Sequence, residues 1–203
     1  MFERIYHHFL SALQQKADIR RVTSKPDALR YLSSPSPPHA VLLCDAAITE
    51  KEFRDVLDPL VSYVKRGGTA VCMGVFSGWA SPDDLTAMFA TSWDLPWSFE
   101  TYGRYDWVVS PYPKGLDVKG LAKAYNMKAA VHLKNVPREY AVYLPTPASR
   151  LESMVHASTP ITGDKAKESP AVWARVGDGY LGYIGDVNGE QGTTRLTLEM
   201  CEV

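Results

Sequence analysis

AVLLCDAAITEKEFRDVLDPLVSYVKRGGTAVCMGVFSG, residues 40–78, decides the fold. Its first six residues, AVLLCD (40–45), form a continuous apolar run closed by an acid, the pattern of a strand buried on both faces. Thr49 and Glu52 then stand at capping-box spacing, and Phe53, Val56, Leu57, Leu60 and Val64 recur at the helical period. Gly67-Gly68 supplies a helix stop. TAVCMGV (69–75) reads as a second buried strand. Two buried strands joined by one long helix through short connections require a crossover, and a crossover makes the strands parallel.

Outward from this unit the same alternation continues. In FERIYHHFLSALQQ the apolar Phe2, Ile5, Phe9, Leu10 and Leu13 share one helix face, and IRRV (19–22) reads as a short strand. Pro26 and Asp27 suit the first turn of a helix through Leu32, ended by the proline cluster SSPSPPH. Ser-Pro-Asp-Asp opens another helix over 81–93. Farther on, Tyr105 to Ser110 reads as a strand, LAKAYNM as a short helix, and VHLKNV and YAVYLP as strands. PAVWARVGDGYLGYIGDV reads as a late hairpin about Gly177-Asp178-Gly179. TTRLTLEMC fits a helix or a strand, and 153–170 is loop-like with its tip near Gly163 to Lys167. The sequence therefore predicts one α/β domain over 1–203, with a mostly parallel central sheet and helices on both faces.

Charge narrows the function classes. Lys plus Arg number 22 against 23 Asp plus Glu, a formal net charge of −1, so no bulk attraction draws the chain to nucleic acid or to anionic lipid. Cys44, Cys72 and Cys201 are odd in number and far apart, which fits a reducing, cytoplasmic location better than a disulfide or metal framework. No apolar run approaches the roughly 18 residues that span a bilayer, and the N-terminal stretch lacks the pattern of an export signal.

GVFSG (74–78) has the spacing of a strand-to-helix turn that presents a nucleophile between two glycines, but Phe76 occupies the centre. The order of AVLLCD strand, long helix, Gly-Gly, TAVCMG strand, GVFSG turn and late GYLGYIGD hairpin resembles the class I glutamine amidotransferase-like superfamily. That superfamily has a flavodoxin-like sheet, and its branches include the ThuA-like and the biotin-protein-ligase N-terminal-like groups. The resemblance covers most of 2–80 and 170–190. It places the family's glycines on Gly74 and Gly78, its nucleophilic Cys on Phe76 and its His near Asp186, with Glu190 near the acid. Phenylalanine cannot attack a carbonyl, so the resemblance implies a scaffold without glutaminase chemistry. Members usually begin with a strand before the first helix. Here Met1 lies almost directly on the helix, so either the native chain is longer or the sheet lacks that strand. In the second case an exposed sheet edge would favour a homodimer.

The candidate ligand-binding residues are Asp45, Gly74, Gly78, Trp79 and Asp186. The two acids stand at strand C-terminal ends, where open α/β sheets bind ligands. Each has a plainer reading: a capping carboxylate for Asp45 and Asp186, a tight turn for the glycines. Phe76 reads as a plug of the vacated pocket. Cys44 and Cys72 lie in apolar runs and read as inert thiols, Cys44 being the better candidate beside Asp45. Trp79, Trp93, Trp97 and Trp107, with Phe99, Tyr102, Tyr105 and Tyr112, form an aromatic-rich segment that suits a second core better than a ligand surface. His7 and His8, adjacent on a helix, should face different directions, and His39, His132 and His156 are scattered, so neither metal nor cofactor is expected. Three functions stay open at this point: a non-catalytic module binding a small molecule or a protein, a small-molecule hydrolase with Ser77 or Cys44 as nucleophile and His132 or His156 as base, and a structural homo-oligomer.

Overall fold

In a computed structural model, which describes residues 2–152 and 158–203, the chain folds as helices packed on open sheets. In chain order the helices are α1 (Phe2–Ile5), α2 (His7–Gln14), α3 (Lys25–Leu32), α4 (Arg54–Lys65), α5 (Phe76–Trp79), α6 (Pro82–Ser92) and α7 (Gln191–Met200). The strands are β1 (Ala40–Leu43), β2 (Thr69–Cys72), β3 (Ser98–Val109), β4 (Ala124–Lys134), β5 (Tyr143–Leu144), β6 (Arg150–Leu151), β7 (Thr159–Pro160), β8 (Ala171–Val176) and β9 (Gly179–Ile184).

The central sheet has the order β1-β2-β9-β8. β1, β2 and β9 run parallel, and β8 pairs antiparallel with β9 through a turn at Gly177-Asp178. Alternation along each strand feeds two cores. Ala70 and Cys72, Leu181 and Tyr183, and Val172 and Ala174 enter a first core with α4, α5 and α6. Val71 and Met73, Ile184, and Ala171 and Trp173 enter a second core with α2 and α7. A second sheet of order β4-β3-β5 lies beside the first, joined to it by bridges at Leu133↔Ser169 and Ala141↔Val172. The aromatic segment divides accordingly. Trp93, Trp97, Tyr105 and Trp107 are buried, whereas Trp79, Tyr102 and Tyr112 are exposed.

Several local expectations are corrected. IRRV forms no strand: Ile19 packs on the second core, while Arg20 and Arg21 turn outward to Asp18 and Glu3. The N-terminal helix breaks at Tyr6 into α1 and α2. β1 is half-buried because it is an edge strand; among the described residues nothing pairs with its outer side as a strand. The Thr49–Glu52 capping box is absent, since Thr49 donates to Ala46 O in a tight 3-10 turn and α4 begins only at Arg54. LAKAYNM runs into β4, where Tyr125 and Met127 pair with Trp107 and Tyr105, so cross-strand packing overrides a helical pattern. TTRLTLEMC falls in α7.

Candidate functional site

The C-terminal ends of β1, β2 and β9 converge, and most of the sequence-derived site residues lie there. Past β1, the Cys44 thiol sits 3.5 Å from Met73 Sδ. Burial, reinforced by the neighbouring Asp45 carboxylate, pushes this thiol up to about 12, with Arg21 pulling weakly the other way. A thiol held that high carries almost no thiolate at neutral pH. Cys72 is fully buried and its thiol is raised by burial as well. Asp45 is exposed, and its Oδ1 accepts from Ala47 N at 3.0 Å, capping the 3-10 turn Ala46–Thr49.

Past β2 the chain turns through Gly74, whose φ of +69° lies in the left-handed region that glycine adopts without strain. α5 follows at once and is only one turn long. Phe76 is completely buried in the first core. The Ser77 hydroxyl donates to Gly185 O at 2.9 Å. The Tyr183 phenol, which burial holds well above its ordinary range, donates to Val131 O at 3.1 Å. Gly78 N donates to Val75 O. Trp79 projects outward at 74% exposure.

Past β9, Asp186 is buried to 0% exposure, and the chain just after it donates to both of its oxygens. Oδ1 accepts from Asn188 N at 2.9 Å, and Oδ2 accepts from Glu190 N at 3.1 Å and Thr193 Oγ1 at 2.6 Å. Tyr6, at the break between α1 and α2, donates to Val187 O at 2.8 Å and lays its ring on Gly189, where an added Cβ would come within 3.1 Å of it. Burial raises the Tyr6 phenol, with the Asp186 charge as the next cause. Asp45, Ser77 and Asp186 therefore share one end of the sheet without lining an open pocket. Asp45 faces solvent, while Ser77 and Asp186 are sealed and bonded.

A second polar cluster lies in the β3–β4 hairpin, and sequence reasoning had named only one of its members. His132 on β4 is fully buried, and its Nδ1 lies 3.3 Å from Glu168 Oε2 and 3.1 Å from Thr101 Oγ1. The Thr101 hydroxyl also donates to Glu168 Oε2 in a short contact. Glu168 is 1% exposed. The rings of Tyr105 and Trp107 stand 5.0 and 4.9 Å from the imidazole. Among the described residues His132 Nε2, Glu168 Oε1 and Trp107 Nε1 have no hydrogen-bond partner. An imidazole steadied by a carboxylate with its other nitrogen free is the base half of a nucleophile triad. The nucleophile is lacking, since no hydroxyl or thiol among the described residues bonds to Nε2. No pattern of spacing announced Glu168 or Thr101, because three distant segments supply the cluster.

The remaining histidines stay apart from both regions. His7 and His8 bring their rings to 3.8 Å instead of facing different directions, and His39 bonds Cys201 O; His156 lies outside the described residues. Among the described residues no three His, Cys, Asp or Glu side chains come together as a metal site, and no helix is long and apolar enough to cross a membrane.

No protein-family model matches the sequence, and no curated protein matches it. Solved structures do. A Bacteroides uniformis protein named as ThuA-like aligns over 96% of this chain and 80% of its own, at 12% identity and a TM-score of 0.58. Two cytoplasmic proteins of Salmonella typhimurium align over 96% and 95% of this chain and 82% and 81% of their own. Their identities are 10% and 12%, and their TM-scores 0.52 and 0.51. At such identities the likeness is one of fold: the chain has the α/β fold of a ThuA-like protein.

Proposed function

We propose that this chain is a non-catalytic relative of the class I amidotransferase-like proteins, of flavodoxin-like ancestry, that works by binding a small molecule or a protein. The carrying observation is Phe76: at the position the resemblance gives to the nucleophile, an apolar ring is wholly buried in the first core. The parallel strands β1, β2 and β9 with helices on both faces support the ancestry. The neighbouring alternatives are chemically silent. The Ser77 hydroxyl is engaged by Gly185 O, and the Cys44 thiol is held near 12. Asp186, near the family's histidine position, is a loop carboxylate bonded on both oxygens.

With the crevice filled, recognition falls to the rim. Trp79 is the exposed aromatic at this end, on a helix that packs against the turn capped by Asp45. An exposed tryptophan beside a polar rim is the kind of anchor that binding surfaces use.

Incubation of the folded protein with a fluorophosphonate and with iodoacetamide at pH 7.5, read by intact mass, tests the reading. The expected result is no fluorophosphonate adduct and alkylation of Cys44 about a thousandfold slower than of an unperturbed thiol, from the raised pKa alone. Stoichiometric labelling of Ser77 or fast labelling of Cys44 overturns it in favour of a relocated nucleophile.

A further inference from the structure

The pairing of β3 with β4 contains a local anomaly at the polar cluster. Ser98 and Phe99 pair with Lys134 and Leu133, and from Gly103 to Val108 the partners run from Ala129 to Ala124. Both stretches belong to one regular antiparallel register. Between them Thr101 faces His132, one residue out of step, where the regular ladder would put Val131. An extra residue at Glu100 on β3 makes the shift, and an extra residue between Ala129 and His132 on β4 cancels it. Each such bulge turns its strand over. Phe99, Val131 and Leu133 accordingly serve the first core, while Tyr105, Trp107 and Met127 serve the second.

We propose that Thr101, His132 and Glu168 form a register lock, a conformational device that selects this jogged ladder over the regular one. Glu168 reaches the hairpin from another segment, held in place by the reciprocal bonds Leu133 N to Ser169 O at 2.9 Å and Ser169 N to Leu133 O at 3.0 Å. Its Oε2 meets Thr101 and His132 together only when those two residues stand opposite each other. In the regular register Thr101 faces Val131, and the buried carboxyl cannot keep both of its partners. A stranded buried polar group is strongly unfavourable, so the cluster penalises the regular register. The unpartnered His132 Nε2 and Glu168 Oε1 fit this role, since a polar group that fixes register commonly does so at the expense of stability.

The rival account is that apolar partition alone, Phe99, Val131 and Leu133 seeking the first core, holds the jog. The test is the double variant His132→Leu, Glu168→Leu in the full chain. Removing both together leaves neither the imidazole nor the carboxyl stranded, and the half-buried Thr101 hydroxyl can turn to water; such replacements usually keep a protein folded. Cooperative thermal unfolding verifies that, and cross-strand NOEs then read the pairing. The lock predicts loss of the contact between Thr101 and position 132 and the appearance of a Thr101–Val131 contact. Retention of the original pairing overturns the proposal. Thr101→Val, which leaves the carboxyl and imidazole in place, gives an independent reading should the double variant fail to fold. The lock predicts two sets of resonances over 99–103, and a single jogged set overturns it.

Discussion

Asp186 and Glu168 are both carboxylic acids removed from water, at 0% and 1% exposure, and the chain accommodates them in opposite ways. Asp186 is satisfied locally, by two backbone amides and one hydroxyl within seven positions of it. Glu168 is satisfied across the fold, by a threonine 67 positions away and a histidine on the neighbouring strand, and one of its oxygens has no hydrogen-bond partner among the described residues. The first acid draws these partners from its own loop, although Tyr6 also ties that loop to the N-terminal helices. The second ties three segments to a single arrangement and holds only while all three are in place. Burial alone therefore does not tell the two carboxyls apart. What distinguishes the two is whether its partners come from its own loop or from elsewhere in the fold.

Removing Glu168 should break this comparison most severely. Glu168→Ala strands His132 in an aromatic box with only Thr101 beside Nδ1 and takes an acceptor from the Thr101 hydroxyl, and each stranded polar group costs about 1–3 kcal/mol. Urea denaturation should show that loss as a lower midpoint. A fall under about 1 kcal/mol would mean that the imidazole finds another partner, by the usual cost of a stranded polar group.

Asp186→Ala should do less. It leaves two amides and the Thr193 hydroxyl without their acceptor, but the 187–190 loop lies close enough to the surface for water to replace part of what is lost. About 2–3 kcal/mol is expected, at the upper end of the cost of leaving buried donors unmade. Asp186→Asn keeps an acceptor oxygen and should recover roughly half of it. Equal losses for the two substitutions would show that charge, not acceptor geometry, is what the loop requires.

The same contrast explains what the sequence disclosed. AVLLCD, TAVCMG and the helix between them were legible because parallel strands and an amphipathic helix write their burial into local periodicity, and a capping acid such as Asp45 or Asp186 is equally local. Phe76 is buried in the first core, as an aromatic ring next to a buried strand suggests. IRRV failed as a strand because period alone says nothing about whether an edge partner exists. LAKAYNM failed as a helix because its fate is set by Tyr105 and Trp107 across the ladder. The Thr101–His132–Glu168 cluster was beyond reach, since its meaning lies in a one-residue register shift that no single strand records.

Ser77→Ala sharpens the comparison at the strand ends. It removes one hydroxyl and leaves the buried Gly185 carbonyl short of one bond. The expected loss is about 1–2 kcal/mol, the usual penalty for an unsatisfied buried acceptor. A neutral result would mean that the serine is not held by Gly185, and would return its hydroxyl to the list of available nucleophiles.

Trp79→Ala should be the mildest change, and it separates stability from recognition. The indole is 74% exposed and belongs to neither core, so it contributes little to folding. Exposed substitutions of this kind usually stay within about 0.5 kcal/mol, and the thermal midpoint should be nearly unchanged. Its four-residue helix still has Phe76 to anchor it. A loss well above 1 kcal/mol would place Trp79 in the packing of α5 and remove the rim from which the binding role was drawn.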